Sequence, residues 1–331
     1  MTSNVGANNN IASIRILGAL STNNANANKA MSRVTTGLRI NSAKDNVSQW
    51  GISERMRARI KSLNQANQNI QNGTNLLKTA EDGIGNTVSI LQTIKARVTA
   101  AADSGATSNE DLVALSKEIY QLMDQVDENA ANTRYNGRLL LTTPDAVTDR
   151  ALNGYNTSMN TSAASASQYF NFQIGDNVGA VISGVKIQNM TLKSLGLDSY
   201  YTQLQAVATM DYGTAQVGSA QAVLGFSAAQ SSATAQSGTQ AGKMLTKVNE
   251  ALDKALQAAT DVGAYEQRLG YTADNVAAEI ENLEASDSTI RDADMAREIA
   301  DYMKYSVLSQ SAQYMLAQSN QNKFQVLNLL Q

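Results

Sequence analysis

The chain of 331 residues carries a net charge of −3, and its 43% hydrophobic content includes only one Trp and four Phe, which argues against a large globular core. The charge balance also argues against a general nucleic-acid binder, whose affinity rests on neutralising phosphates. The absence of Cys and His removes thiol nucleophiles, imidazole bases, Cys/His zinc sites and disulfides together.

The first 30 residues hold eight Asn scattered among Ile11, Ile14, Leu17 and Leu20. A stripe this narrow is marginal as a free helix in water, so the segment is expected to order only when something covers it. No stretch reaches the roughly 18 consecutive apolar residues of a membrane helix, so no membrane partner is expected. The N-terminus also lacks a charged region followed by an apolar one.

Two charge belts follow. Residues 29 to 61 carry eight Lys or Arg against two acids, and residues 279 to 301 carry eight acids against two Arg. Arg55, Arg57, Arg59 and Lys61 are therefore expected to set a charge register with Glu279, Glu281, Asp292 and Asp294, within a subunit or between copies; a solvated helix face is the plainer alternative. For Asp292 and Asp294, acid/base work or cation binding is outweighed by a structural role, because no Gly-rich calcium loop accompanies them.

A helix is predicted from about Ser42 to Thr99, on the order of 87 Å long at 1.5 Å per residue, with Ser42 and Asp45 as an N-terminal capping pair. Its apolar seam places Met56, Leu63, Ile70, Leu77, Ile84, Leu91 and Val98 at every seventh position. Ile52, Ile60, Ala80, Val88 and Ile94 widen the seam, Asn67, Thr74 and Glu81 interrupt it, and Gly73, Gly83 and Gly85 are expected to bend the helix. After a loop, a second helix is predicted from Glu110 to Asn129 as an antiparallel partner, with Leu112, Leu115, Ile119, Leu122, Met123 and Val126 on one side.

The helical period stops at the turn Asn132-Thr-Arg-Tyr-Asn-Gly-Arg138. Phe170, Phe172 and Ile174, a Gly175-Asp176-Asn177 turn, then Val181, Val185 and Ile187 predict a small β-hairpin. Residues 199 to 240 read as a surface insertion by composition. Helical periodicity resumes by Gly242 with Met244, Val248, Leu252 and Leu256, and runs to Leu330. Met295, Met303 and Met315 are expected to pack rather than bind copper.

At this point the residues resemble a known family. Gly37-Leu-Arg-Ile-Asn-Ser-Ala-Lys-Asp45, Arg134-Tyr-Asn-Gly137, Ser194-Leu-Gly-Leu-Asp198, and Asp292-Ala-Asp-Met-Ala296 running to Leu316-Ala-Gln-Ser-Asn-Gln321 are similar to bacterial flagellins, in the same order. The resemblance covers roughly residues 11 to 142, 167 to 199 and 237 to 331. It implies a mainly α fold: a long antiparallel helical bundle or coiled coil of N- and C-terminal segments, with a small β-hairpin region and a variable middle insertion. Terminal helices 1–41 and 302–331 would form the inner filament tube, 42–198 and 237–301 a helical rod, and 199–236 the surface-exposed insertion.

The implied function is that of a structural subunit of the flagellar filament, with a hook-filament junction protein as the alternative. An enzyme or adhesive module in the middle stretch is a third reading, for which no nucleophile-base or metal-ligand spacing is found. The implied partners are many identical subunits, the flagellar type III export apparatus, an export chaperone, and the filament cap and hook-junction proteins, on an extracellular flagellum. No cofactor, metal or catalytic residue is expected.

Subunit packing is expected at Ile11, Ile14, Leu17, Leu20, Met31, Val34, Leu38, Met295, Ile299, Met303, Leu308, Leu316, Leu327 and Leu330. Leu91, Gln92, Ile94 and Lys95 match in part the segment by which a Toll-like receptor senses the family. The chain departs from the family at Asn320-Gln-Asn-Lys323, where Asn-Gln-Val-Pro is common, and at Trp50, where a small residue is common. Sequons at Asn156, Asn160 and Asn189 are not expected to be used on a bacterial export route, where O-linked sugars on the Ser/Thr-rich middle are more plausible by family analogy.

Overall fold

The computed structural model describes residues 11–102, 109–142, 168–177, 179–209 and 240–329. In chain order it contains α1 (Ile11–Thr36), α2 (Val47–Ala101), α3 (Asn109–Asn132), β1 (Arg134–Tyr135), β2 (Arg138–Leu139), β3 (Gln168–Gln173), β4 (Val181–Ile187), α4 (Leu192–Leu195), α5 (Asp198–Thr209), α6 (Gln240–Arg291) and α7 (Met295–Leu329). The chain divides into two units, one of Met1–Ser62 with Ala278–Gln331 and the other of Leu63–Ala277.

The core of the second unit is a heptad seam. On α2 the buried positions Leu63, Ala66, Ile70, Gly73, Leu77, Ala80, Ile84, Thr87, Leu91, Ile94, Val98 and Ala101 alternate steps of three and four, the spacing of knobs-into-holes packing. The large residues at every seventh position form half of the seam as expected, apart from Met56, which is half-buried. The other half is small apart from Ile94: Ala66, Gly73, Ala80, Thr87 and Ala101. Asn67, Thr74 and Glu81 therefore do not interrupt the seam; they lie one position beyond it.

Gly73 and Gly83 do not break α2. A Cβ on Gly73 would lie 3.0 Å from the Phe172 ring, and one on Gly83 would lie 2.7 Å from Leu141 Cδ1 and Thr133 Oγ1, so both admit close neighbours. Thr87, inside the seam, donates to the Gly83 carbonyl at 3.1 Å, and the Asn129 amide bonds the same carbonyl at 2.8 Å. Ion pairs Lys78–Glu266 (3.5 Å) and Arg97–Glu118 (2.7 Å) flank this core.

On α6 the buried set is Met244, Val248, Ala251, Ala255, Ala258, Val262, Leu269 and Val276. The expected stripe is thus corrected: Leu252 is half-buried and Leu256 is exposed, because the core positions they were assigned to are held by Ala251 and Ala255. On α3, Leu112, Ile119, Met123 and Val126 are buried, whereas Leu115 and Leu122 are half-buried.

Asn136 and Gly137 join β1 to β2 with φ of 49° and 76°, the double positive φ of a type I′ turn. β3 and β4 pair antiparallel with an irregularity between Phe170 and Phe172. Arg138 lies 4.8 Å above the Phe170 ring. Gly196, at φ 86°, ends α4, and Leu197 N–H closes the turn on the Leu192 carbonyl at 2.9 Å.

The insertion expected over 199–236 is corrected at its start. Residues 198–209 form α5, whose Tyr201 and Leu204 are buried and whose Tyr201 hydroxyl bonds Asp124 and Tyr120 at 3.1 Å each. Residues 210–239 lie outside the described residues. Of the sequons, Asn189 is buried with its side-chain oxygen accepting from Thr191 N–H at 3.0 Å, and Asn156 and Asn160 lie outside the described residues.

Candidate self-assembly surface

In the first unit, α1 and α7 pack along a seam made mostly of small and polar residues. Ser13 meets Ser319 (3.0 Å), Ser309 donates to Asn24 (2.6 Å), and Arg33 bonds Glu298 (3.0 Å). Rising numbers on α1 meet falling numbers on α7, so the helices are antiparallel. Covered positions again step by three and four: Ser13, Ile16, Leu20, Asn23, Ala27, Ala30 and Val34 on α1, and Glu298, Tyr302, Tyr305, Ser309, Ala312, Leu316 and Ser319 on α7.

Such a seam half-buries Ile16, Leu20, Val34 and Leu316 and holds the pair in register, but it leaves many of the larger apolar side chains outside. Ile11 and Ile14 are 63% and 61% exposed, and Met303 and Val307 are 60% and 63% exposed. Leu17 and Met31 on α1, and Met295, Ile299, Leu308, Tyr314 and Met315 on α7, are exposed with them. Met295, Ile299, Met303 and Val307 follow one another at four-residue steps and so share a face.

The two connections that frame this pair lock onto each other. Leu38 bridges Asp292, Ala293 N–H donates to the Gly37 carbonyl (3.0 Å), and Arg39 donates to the carbonyls of Arg291 through its backbone N–H and Ile290 through its side chain, both at 2.6 Å. Gly37 adopts φ 70°, a conformation that favours glycine. Arg291 is buried against Glu54 at 3.0 Å, and Ser53 bonds Asp287 beside it.

Asp45 does not pair with Ser42 as a helix cap. Its carboxylate accepts from the backbone N–H of Asn41 and Ser42 at 3.2 Å and meets Lys29 Nζ at 3.1 Å, tying the α1–α2 connection together. Burial pushes this carboxyl up, but Lys29 and the two backbone donors hold it on balance below its ordinary value. The residue that caps α2 is Asn46, whose side-chain oxygen accepts from Gln49 N–H at 3.1 Å. α7 starts at Met295, capped by Asp294 accepting from Ala296 N–H (3.0 Å) and Arg297 N–H (3.2 Å), so the expected boundary at 301/302 falls inside a helix.

Residues 7–144 match the model of the bacterial flagellin N-terminal helical region, and residues 245–330 match that of the C-terminal helical region. The chain belongs to the bacterial flagellin family. It is 35% identical to a flagellin of Bacillus subtilis over 98% of this chain and 99% of that protein. It is 32% identical to the flagellar filament 33 kDa core protein of Treponema phagedenis, with the same two shares of 98% and 99%. A putative flagellar hook-associated protein from Vibrio parahaemolyticus shares the fold, with a TM-score of 0.53 over 75% of this chain and 100% of that one, at 14% identity. As a member of the flagellin family the chain is a structural subunit of the flagellar filament, and the hook-junction alternative is not favoured.

The expected packing residues of this flagellin fall in three groups. Ile11, Ile14, Leu17, Met31, Met295, Ile299, Met303 and Leu308 are exposed, whereas Leu20, Val34, Leu38 and Leu316 are half-buried within the first unit. The side chain of Leu327, and Leu330 altogether, lie outside what is described. Met315, expected to pack, is exposed with the first group; Val307 and Tyr314 were missed, and the four-residue step from Met295 is the signal for Val307.

Of the charge register, Arg59 pairs with Glu279, but Arg57 bonds Glu54 on its own helix at 3.1 Å. Arg55, Lys61 and Glu281 are exposed, Asp292 accepts from the Ser288 hydroxyl, and Asp294 serves as the cap. The expected receptor-facing set is corrected: Leu91 and Ile94 are fully buried in the α2 seam, leaving Gln92 exposed and Lys95 half-buried. Among the described residues no helix is long and apolar enough to cross a membrane, and no three acidic, His or Cys residues cluster as metal ligands.

Proposed function

We propose that this subunit polymerises through the outward apolar faces of α1 and α7, which sister subunits cover, so that ordering of the terminal helices and filament growth are one event. The observation that carries the reading is the division of labour on this helix pair: Ser13, Asn24, Ser309 and Ser319 meet along the seam, while Ile11, Ile14, Met303 and Val307 stand outside it. A fully buried side chain of this size contributes about 1.5–3 kcal/mol, whereas an exposed ion pair contributes about 0–1 kcal/mol. Apolar burial therefore holds the polymer. Arg55, Lys61 and Glu281 tune its register.

Identical subunits meeting through unlike surfaces, without ring closure, grow into a filament. α1 and α7 are read as lining its inner tube. Membership of the flagellin family supports passage through the flagellar type III export apparatus, with an export chaperone, the filament cap and hook-junction proteins as partners on an extracellular flagellum. The chain is read as having no catalytic role and no cofactor. Val307→Asp and Ile14→Asp each place a charge on the outward face; seeded growth followed by electron microscopy should show no elongation for either. Long filaments from both variants would overturn the reading.

A further inference from the structure

Apart from Met56, which is half-buried, the methionines among the described residues fall into two groups. Met123, Met190 and Met244 in the second unit are at most 1% exposed, whereas Met31 on α1 and Met295, Met303 and Met315 on α7 are 48%, 40%, 60% and 59% exposed. Thioether oxidation follows access, so a peroxide meets the second group first.

We propose that these four thioethers form a modification site at which peroxide turns the free subunit into a form that cannot polymerise; this inference rests on the packing reading above. In the reaction the sulfur lone pair attacks one peroxide oxygen, an S–O bond forms as the O–O bond breaks, and the departing hydroxide takes the remaining proton to leave as water. Sulfur loses two electrons and the peroxide gains them. The product is a polar sulfoxide on a surface whose attachment depends on apolar burial, and at Met295 and Met303 its oxygen finds no donor in the side chains of Ile299 and Val307 on the same face. Subunits already in a filament have these side chains covered and are spared. The site therefore discriminates between subunits before and after incorporation.

The full chain, free and as filament, is treated with hydrogen peroxide, quenched, and mapped by mass spectrometry with Met123, Met190 and Met244 as internal standards. Oxygen is expected to appear at Met31, Met295, Met303 and Met315 in the free subunit and much more slowly in the filament. The critical concentration for seeded growth of treated subunits should rise at least about tenfold, and methionine sulfoxide reductase with a thiol reductant should restore it. A variant with all four methionines changed to Leu, compared with its own untreated sample, should show no peroxide-dependent rise. Unchanged growth of oxidised subunits, or equal sensitivity of the Leu variant, overturns the proposal while leaving the packing reading intact. Equal oxidation of the four residues in filament and free subunit overturns both.

Discussion

Gly83 and Gly85 stand two residues apart on α2 in opposite surroundings. A Cβ on Gly83 would sit 2.7 Å from Leu141 and Thr133 side-chain atoms, whereas one on Gly85 would meet nothing within 4 Å. Gly83→Ala therefore forces neighbours apart and should cost about 1–3 kcal/mol. Gly85→Ala gains helix propensity and should stabilise by about 0.5–1 kcal/mol. Thermal unfolding of the two variants should shift in opposite directions; a shared direction would mean that the contact at Gly83 is not what places glycine there. Burial separates the ion pairs in the same way. Arg291 is 8% exposed beside Glu54, whereas Arg59 and Glu279 are 45% and 39% exposed. Glu54 is itself 39% exposed and Arg291 also reaches Ser53, so Glu54→Ala should cost about 1–3 kcal/mol; Arg59→Ala should cost about 0–1 kcal/mol. Filament melting temperature checks the contrast.

At the scale of elements, α5 makes the clearest case for dividing the middle of the chain differently from its composition. Tyr201 and Leu204 are buried, and the Tyr201 hydroxyl bonds Asp124 on α3. Removing residues 199–236 should therefore expose α3 and lower the unfolding temperature of the second unit, whereas removing 210–236 should leave both that temperature and polymerisation unchanged. Equal effects of the two deletions would mean that α5 contributes nothing to the packing.

The sequence hid α5 because its Tyr and Leu lie within a Ser/Ala/Thr-rich tract. Small residues concealed other core positions too. Leu63 to Val98 announced half of the α2 seam because large side chains repeat every seven residues, but Ala66, Gly73 and Thr87 carry no apolar signal by size. On α6 the reverse occurred: Leu252 and Leu256 drew the stripe away from Ala251 and Ala255, which fit the closer approach. The charge belts were legible as composition, yet their partners were not. A count of charges does not say which helix face or helix end each one occupies, and Arg57 turned to Glu54 and Asp294 to the start of α7. The outward apolar face was legible for Ile11 and Ile14 because Asn10 and Ser13 precede them in an Asn-rich stretch too polar to be a private core.

For the whole molecule, the two units differ in how much of their core the single chain supplies. The second unit buries Leu63, Leu77, Ile84, Leu91, Ile119, Met123, Leu140 and Val185 to 1% exposure or less. In the first unit Ala30, Ser309 and Glu298 are among the most covered side chains where α1 meets α7; Ile16, Leu20, Val34 and Leu316 are only half-buried there, and the other large apolar residues, such as Ile14, Met303 and Val307, lie outside. Local opening free energy follows buried apolar contact, so the dilute subunit should be cooperative in one unit and loose in the other. Hydrogen exchange read by mass spectrometry should show α1 and α7 exchanging near the rate of an unfolded peptide in the free subunit, while α3 and the 63–101 part of α2 are protected by on the order of a thousandfold or more. In the filament α1 and α7 should rise to comparable protection, because sister subunits replace the missing core. If α1 and α7 were already as protected as α3 in the dilute subunit, the polar seam alone would suffice to fold them, and assembly would add contacts without supplying order.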